Sequence, residues 1–230
     1  MVKSRERYVM AGIITVIIFL LGFSIGLVVE SKRIDFVQDE LREQKIEYSS
    51  SQLQYNFLNT LETKDTCPAL FESYYNSLLQ LDKTRERLEM YIQDNTISDG
   101  SFSLLKREYT LEQIRYWMLS RQAKEVCDEH FVTLLYFYSD EDSCPQCNDQ
   151  QTVLLYYKKL LGDKLLIFSF DSQFKEEPMI DVLRSRYSVS TYPTIVIEDE
   201  TISNYSDMEQ LKTLLCEAYG TRDTEMLECE

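Results

Sequence analysis

The sequence predicts an α/β domain at its C-terminal end, preceded by a single transmembrane helix and an α-helical stalk and hairpin. Three observations predict this. Residues 8–29 form an uncharged run, two long amphipathic patterns lie between Cys67 and Asp128, and after His130 the pattern switches to short β-rich runs separated by helical ones. These breaks define residues 1–30 as a cytoplasmic tip and membrane helix, 31–129 as stalk and antiparallel hairpin, 130–220 as the α/β domain and 221–230 as an acidic tail.

The first run, YVMAGIITVIIFLLGFSIGLVV, has 22 residues and no charge, long enough at about 1.5 Å per residue to cross a hydrocarbon core of roughly 30 Å. A cleaved signal peptide is the alternative, but its apolar region is usually only about 7–15 residues long. No second such run exists, so a single-pass cell-membrane protein is expected. The short basic flank Lys3, Arg5, Arg7 favours a cytoplasmic N-terminus, leaving the soluble part extracytoplasmic. Six cysteines fit that oxidising side. The chain's net charge is −15, and from residue 34 onward 37 acids face 19 bases. Such a surface repels phosphate backbones, which argues against nucleic acid as a partner.

Residues 30–63 are polar, free of Pro and Gly, and read as a helical stalk. Positions 34, 37, 41, 44, 48, 51, 55 and 58 hold a degenerate apolar seam (Ile, Val, Leu, Gln, Tyr, Ser, Tyr, Leu). That seam serves either a homodimeric coiled coil or packing against the chain's own next helices. A helix over 67–94, a turn at TISDGS (96–101) and a helix over 102–128 make a hairpin centred near Ile97. Cys67 and Cys127 are then equidistant from the turn and lie side by side at the open end, as a disulfide or as two unpaired thiols.

Beyond His130, strands are predicted at 131–139 (FVTLLYFYS), 164–170 (KLLIFSF) and 194–199 (TIVIED), with helices at 148–161, 177–187 and 206–219 between and after them. The motif Ser143-Cys144-Pro145-Gln146-Cys147 follows the first strand, with Cys144 in the first turn of the next helix. Unpaired N–H groups there favour a thiolate at Cys144, which would be the exposed nucleophile, with Cys147 within bridging reach as the resolving partner.

Strand, C-P-Q-C at a helix start, helix, strand, helix, then TYPT before another strand together resemble the thioredoxin superfamily, and YPT is similar to the stretch found in protein disulfide isomerases. Pro193 lies 46 residues after Cys147, where that fold carries a cis-proline. The resemblance covers residues 130–220. It implies that Cys144 and Cys147 exchange disulfides with protein substrates bearing thiols or disulfides, with no cofactor. It further implies that cis Pro193 shapes the groove and that the backbone of Thr191 and Tyr192 pairs with an extended substrate segment. Two features depart from the family pattern. Ser143 replaces its usual tryptophan, and Tyr136 and Tyr138 stand where it buries a carboxylate. The acidic run Asp140, Glu141, Asp142 disfavours a thiolate at Cys144, which predicts a reducing or near-structural potential.

Other uses of the pair are weaker. A zinc site needs two more ligands, and the chain has neither a second C-x-x-C nor a paired histidine beside His130, so no metal is expected. Cys216 and Cys229 either pin the tail to the last helix, stay free, or bridge two chains. The rival function is a non-catalytic adaptor in which Cys144–Cys147 is a permanent staple. A cytoplasm-facing reductase follows if the orientation is reversed.

Overall fold

The computed structural model describes Gly12 and residues 14–24, 45–46, 49–50, 52–54, 56–57, 67–93, 99–220 and 227–229. The chain divides into two compact units, Met1–Thr60 and Leu61–Glu230. In the first unit the described residues are helical and exposed. The expected apolar seam of the stalk falls entirely outside them.

The transmembrane expectation is overturned. Among the described residues no helix is long and apolar enough to cross a membrane. The single-pass anchor, and the location with a cytoplasmic N-terminus and an extracytoplasmic domain that was derived from it, fall with that finding. The α/β class is corrected too: among the described residues the chain is mostly helical, with one small mixed sheet of four strands.

In the second unit, α1 (Cys67–Gln93) and α2 (Asp99–Cys127) form the helical pair. Asp99 already belongs to α2, where TISDGS had placed it in the turn. Asp128 closes α2 at φ 57°, a left-handed conformation that a short polar side chain tolerates. Next come β1 (Val132–Tyr138), α3 (Cys147–Leu161), a single 3-10 turn at Gly162–Lys164, β2 (Leu165–Asp171), α4 (Pro178–Arg186), β3 (Thr194–Ile197), β4 (Glu200–Ser203) and α5 (Met208–Tyr219). The sheet order is β2-β1-β3-β4, with β1 parallel to β2 and the other pairings antiparallel.

The two-residue alternation of β1 builds two cores. Val132, Leu134 and Tyr136 face α3 and α5, joining Val153, Leu154, Tyr157, Leu211, Leu215 and both Cys144 and Cys147. Phe131, Leu135 and Phe137 face the other way, joining Phe168, Phe170, Leu183 of α4 and Ile114, Tyr116 and Trp117 of α2. Helix α2 is therefore a wall of the sheet's second core, and the boundary expected at residues 129/130 separates no two cores. The Tyr116 hydroxyl donates across to the hydroxyl of Tyr74 of α1 at 2.6 Å, under the same layer.

Ion pairs tie α2 to the sheet at both ends. Lys106 pairs with Asp171, and Arg107 with the buried Glu177. Near the other end Arg121 meets Asp199 with two bonds of 2.9 Å, and Lys124 meets Glu198. Edge strand β2 is closed by a side chain of α2: Gln113 accepts from the N–H of Ser169 and donates to its carbonyl. Such capping blocks further strand addition at that edge.

Candidate functional site

Strand register gathers the site. Tyr138 of β1 pairs with Asp171 of β2, and Phe137 pairs with Thr194 of β3. The end of β1, the end of β2 and the start of β3 thus lie at one end of the sheet. Segments 139–147, 172–177 and 190–193 meet there.

The first segment carries Cys144 and Cys147, joined as a disulfide with Cα atoms 5.4 Å apart. Helix α3 begins only at Cys147, so Cys144 sits in the turn before it and not in its first turn as expected. Asp140 organises that turn. Its carbonyl accepts from the N–H of Cys144 at 2.8 Å, and its Oδ1 accepts from the N–H of Ser143 at 2.8 Å. These Ser143 bonds hold the Asp140 carboxyl below the usual aspartate range. A fixed negative charge therefore stands four residues before Cys144, beside exposed Glu141 and Asp142.

The expectation of an exposed Cys144 is corrected as well. Cys144 is only 2% exposed and Cys147 6%, both inside the core formed by α3 and α5. Tyr136 lies in that core, and its hydroxyl donates to the carbonyl of Cys147 at 2.7 Å. Burial pushes this phenol up, and pushes Tyr138 up to about 12 with help from Asp171 and Tyr109. Both stay neutral at physiological pH and neither replaces a carboxylate as a proton acceptor.

The third segment carries the cis Tyr192–Pro193 peptide bond. Pro193 is buried and Thr191 exposed. The carbonyl of Thr191 accepts from the hydroxyl of Thr194 at 2.7 Å. Tyr192 is half-buried against both cores, with the Arg184 guanidinium 5.7 Å from its ring centre. The structure thus brings Cys144, Cys147, Thr191, Tyr192 and Pro193 to one end of the sheet.

The remaining cysteines lie elsewhere. Cys67 and Cys127 are bonded at the open end of the helical pair, Cα atoms 5.7 Å apart. Cys216 of α5 is bonded to Cys229, and the neighbouring Leu227 is buried in the α3/α5 core. All six cysteines are in disulfides.

Sequence reasoning missed Gln173, whose side-chain amide donates to the Ser143 hydroxyl at 3.1 Å. Nothing in the polar stretch DSQFKEE singles it out. It missed Lys106 and Arg107 for the same reason: a basic pair on an exposed-looking helix shows its partners only in three dimensions.

No protein-family model matches the chain, and no curated protein sequence matches it. Solved structures do resemble it. A structure described as a malarial protein has a TM-score of 0.33 and 21% identity, covering 39% of this chain and 98% of its own. The germline-specific thioredoxin Deadhead of Drosophila melanogaster has a TM-score of 0.32 and 18% identity, covering 44% and 92%. The J-Trx1 fragment of ERdj5 has a TM-score of 0.33 and 14% identity, covering 75% and 98%. The likeness is weak over the whole chain and concerns the fold alone.

Proposed function

We propose that the chain is a thioredoxin-fold protein that exchanges disulfides with cysteine-bearing protein substrates through Cys144 and Cys147. The observation that carries this reading is the placement of the Cys144–Cys147 bridge and the cis Tyr192–Pro193 bond at the same end of one sheet. In the exchange, a substrate thiolate attacks Sγ of Cys144, and Cys147 leaves as a thiolate and takes a proton. A second substrate thiolate then attacks the substrate sulfur of the mixed disulfide, forming the substrate disulfide and releasing the Cys144 thiolate, so two electrons pass to the pair. In the reverse direction the Cys144 thiolate attacks a substrate disulfide, and the Cys147 thiolate attacks Sγ of Cys144 to release the reduced substrate and re-form the bridge. Thr191 and Tyr192 lie beside the cis bond and offer backbone for an extended substrate segment.

Replacing Cys147 with Ser tests this. The variant, reduced and mixed with a protein bearing an accessible disulfide, should accumulate a mixed disulfide through Cys144. If no adduct forms while the variant remains folded, exchange is refuted. One set of observations favours a second reading, a non-catalytic adaptor with a structural bridge. The pair is buried in the core, and Asp140 holds a negative charge beside it. In that case the Cys144–Cys147 bond resists reduction and no adduct appears.

A further inference from the structure

The sulfur of Cys144 cannot be attacked where it lies, because exchange requires a thiolate to approach along the S–S axis and the residue is only 2% exposed. Something must hold the turn of residues 140–147 over the pair, and a continuous chain of bonds leads from that turn to helix α2. The N–H of Cys144 donates to the carbonyl of Asp140, and the N–H of Ser143 to its Oδ1. The Ser143 hydroxyl accepts from the Gln173 amide at 3.1 Å. The N–H of Gln173 donates to Asp171 Oδ1 at 3.0 Å, and Asp171 Oδ2 is paired with Lys106.

The segment bearing Gln173 is held at both ends by adjacent residues of α2. Lys106 grips Asp171 at its start. Arg107 donates to Glu177 Oε2 at 2.9 Å at its finish, where Glu177 also caps α4 by accepting from the N–H of Met179. Between them Phe174 is buried, with the Lys106 ammonium 4.7 Å from its ring centre. Through side chains alone the two segments are joined at Gln173, which donates to the exposed Ser143 hydroxyl and also hydrogen-bonds the Asp140 carboxylate that the Ser143 side chain itself bonds. This junction is the weakest point of an otherwise anchored assembly.

We propose that Gln173 and Ser143 form a latch, anchored on α2 through Asp171 and Lys106, that keeps the Cys144–Cys147 turn closed and sets how fast a thiol reaches it. The proposal rests on the exchange reading for its biological use, though not for its test. These are positioning residues; they touch neither the sulfurs nor a substrate. Opening the latch raises the population of turns in which the Cys144 sulfur is accessible, so the rate of attack changes while the chemistry does not.

The test is the rate at which dithiothreitol reduces Cys144–Cys147 in the full chain, followed by quenched alkylation and peptide mass so that each disulfide is read separately. One reagent thiolate forms a mixed disulfide and releases one cysteine. The second reagent thiol closes the cyclic disulfide and releases the other, passing two electrons and two protons to the protein. Ser143→Ala and Gln173→Ala should each speed reduction about three-fold, the size of one exposed hydrogen bond. Ser143→Thr, which keeps the hydroxyl, should leave the rate unchanged, and the double alanine variant should be no faster than Gln173→Ala, which already removes both contacts of the latch. Lys106→Met should act in the same direction as the alanines. Rates equal to that of the unaltered chain, or a double variant showing the product of the two single effects, overturn the latch. A pair that thiols reduce only at potentials beyond the reach of glutathione would overturn the exchange reading alone, leaving the rate ratios to judge the latch.

Discussion

At the scale of single residues, two buried glutamines do for this fold what backbone pairing cannot. Gln150, fully buried in α3, accepts from the N–H of Ser206 at 2.8 Å and donates to its carbonyl at 3.3 Å. Gln113 repeats the arrangement on Ser169. Replacing Gln150 with Leu leaves a buried donor and acceptor without partners and should cost about 2 kcal/mol or more. Gln113→Leu should cost less, because Ser169 is partly open to solvent. Urea denaturation checks both as a lower midpoint at unchanged slope; equal effects would contradict the burial argument. Neither role was legible in the sequence, since a glutamine at an apolar helix position reads only as a flaw in the pattern. The cysteine motif was legible, whereas its burial was not: nothing in SCPQC tells that Asp140 folds the turn back by accepting from both Ser143 and Cys144.

At the scale of elements, the helical pair belongs to the core. Its open end is closed by a disulfide between residues 60 apart in sequence. Removing that bond as Cys67→Ser/Cys127→Ser should cost on the order of 4 kcal/mol in the chain-entropy model, read as a drop in midpoint; a loss under about 1 kcal/mol would mean that packing on the sheet alone holds the pair. Arg121 fixes the other side of α2, bonding Asp199 and the hydroxyl of Tyr187. Its guanidinium holds the Asp199 carboxyl below the ordinary aspartate value of 3.8. A depressed carboxyl contributes stability in full above its unfolded value and loses it as pH falls through the lower folded one. The stability gap between the native chain and Arg121→Met should therefore be constant near neutrality and narrow below about pH 4. A gap that widens on acidification would contradict this. The apolar alternation of FVTLLYFY made β1 readable, and the periodicity of 148–161 made α3 readable. Strand β4 was hidden because Glu200–Ser203 is exposed and polar. Its turn uses Glu198 at φ 56°, a conformation rare for glutamate and here supported by bonds to both backbone groups of Thr133.

At the scale of the whole molecule, the hydrophobic run at 8–29 dominated the sequence and misled it. Length and apolarity are the only signals available to a linear reading, and among the described residues no helix is long and apolar enough to cross a membrane. For the acidic tail TRDTEMLECE the sequence left pinning, free thiols and a bridge between chains open; the structure carries a Cys216–Cys229 bond, with the nearby Leu227 buried in the α3/α5 core. Leu227→Ala should cost about 2 kcal/mol or more, as other buried leucines do, and a cost near zero would show that the tail merely rests on α5. What joins these scales is the state of the Cys144–Cys147 pair, buried and flanked by a fixed carboxylate that disfavours a thiolate. The most direct test is a redox titration against glutathione and dithiothreitol buffers, with Cys67, Cys127, Cys216 and Cys229 replaced by Ser so that one pair reports. Exchange predicts a reversible potential between roughly −120 and −270 mV, toward the reducing limit because no thiolate is stabilised. A potential below about −300 mV with slow equilibration would contradict it and make the bridge a structural staple.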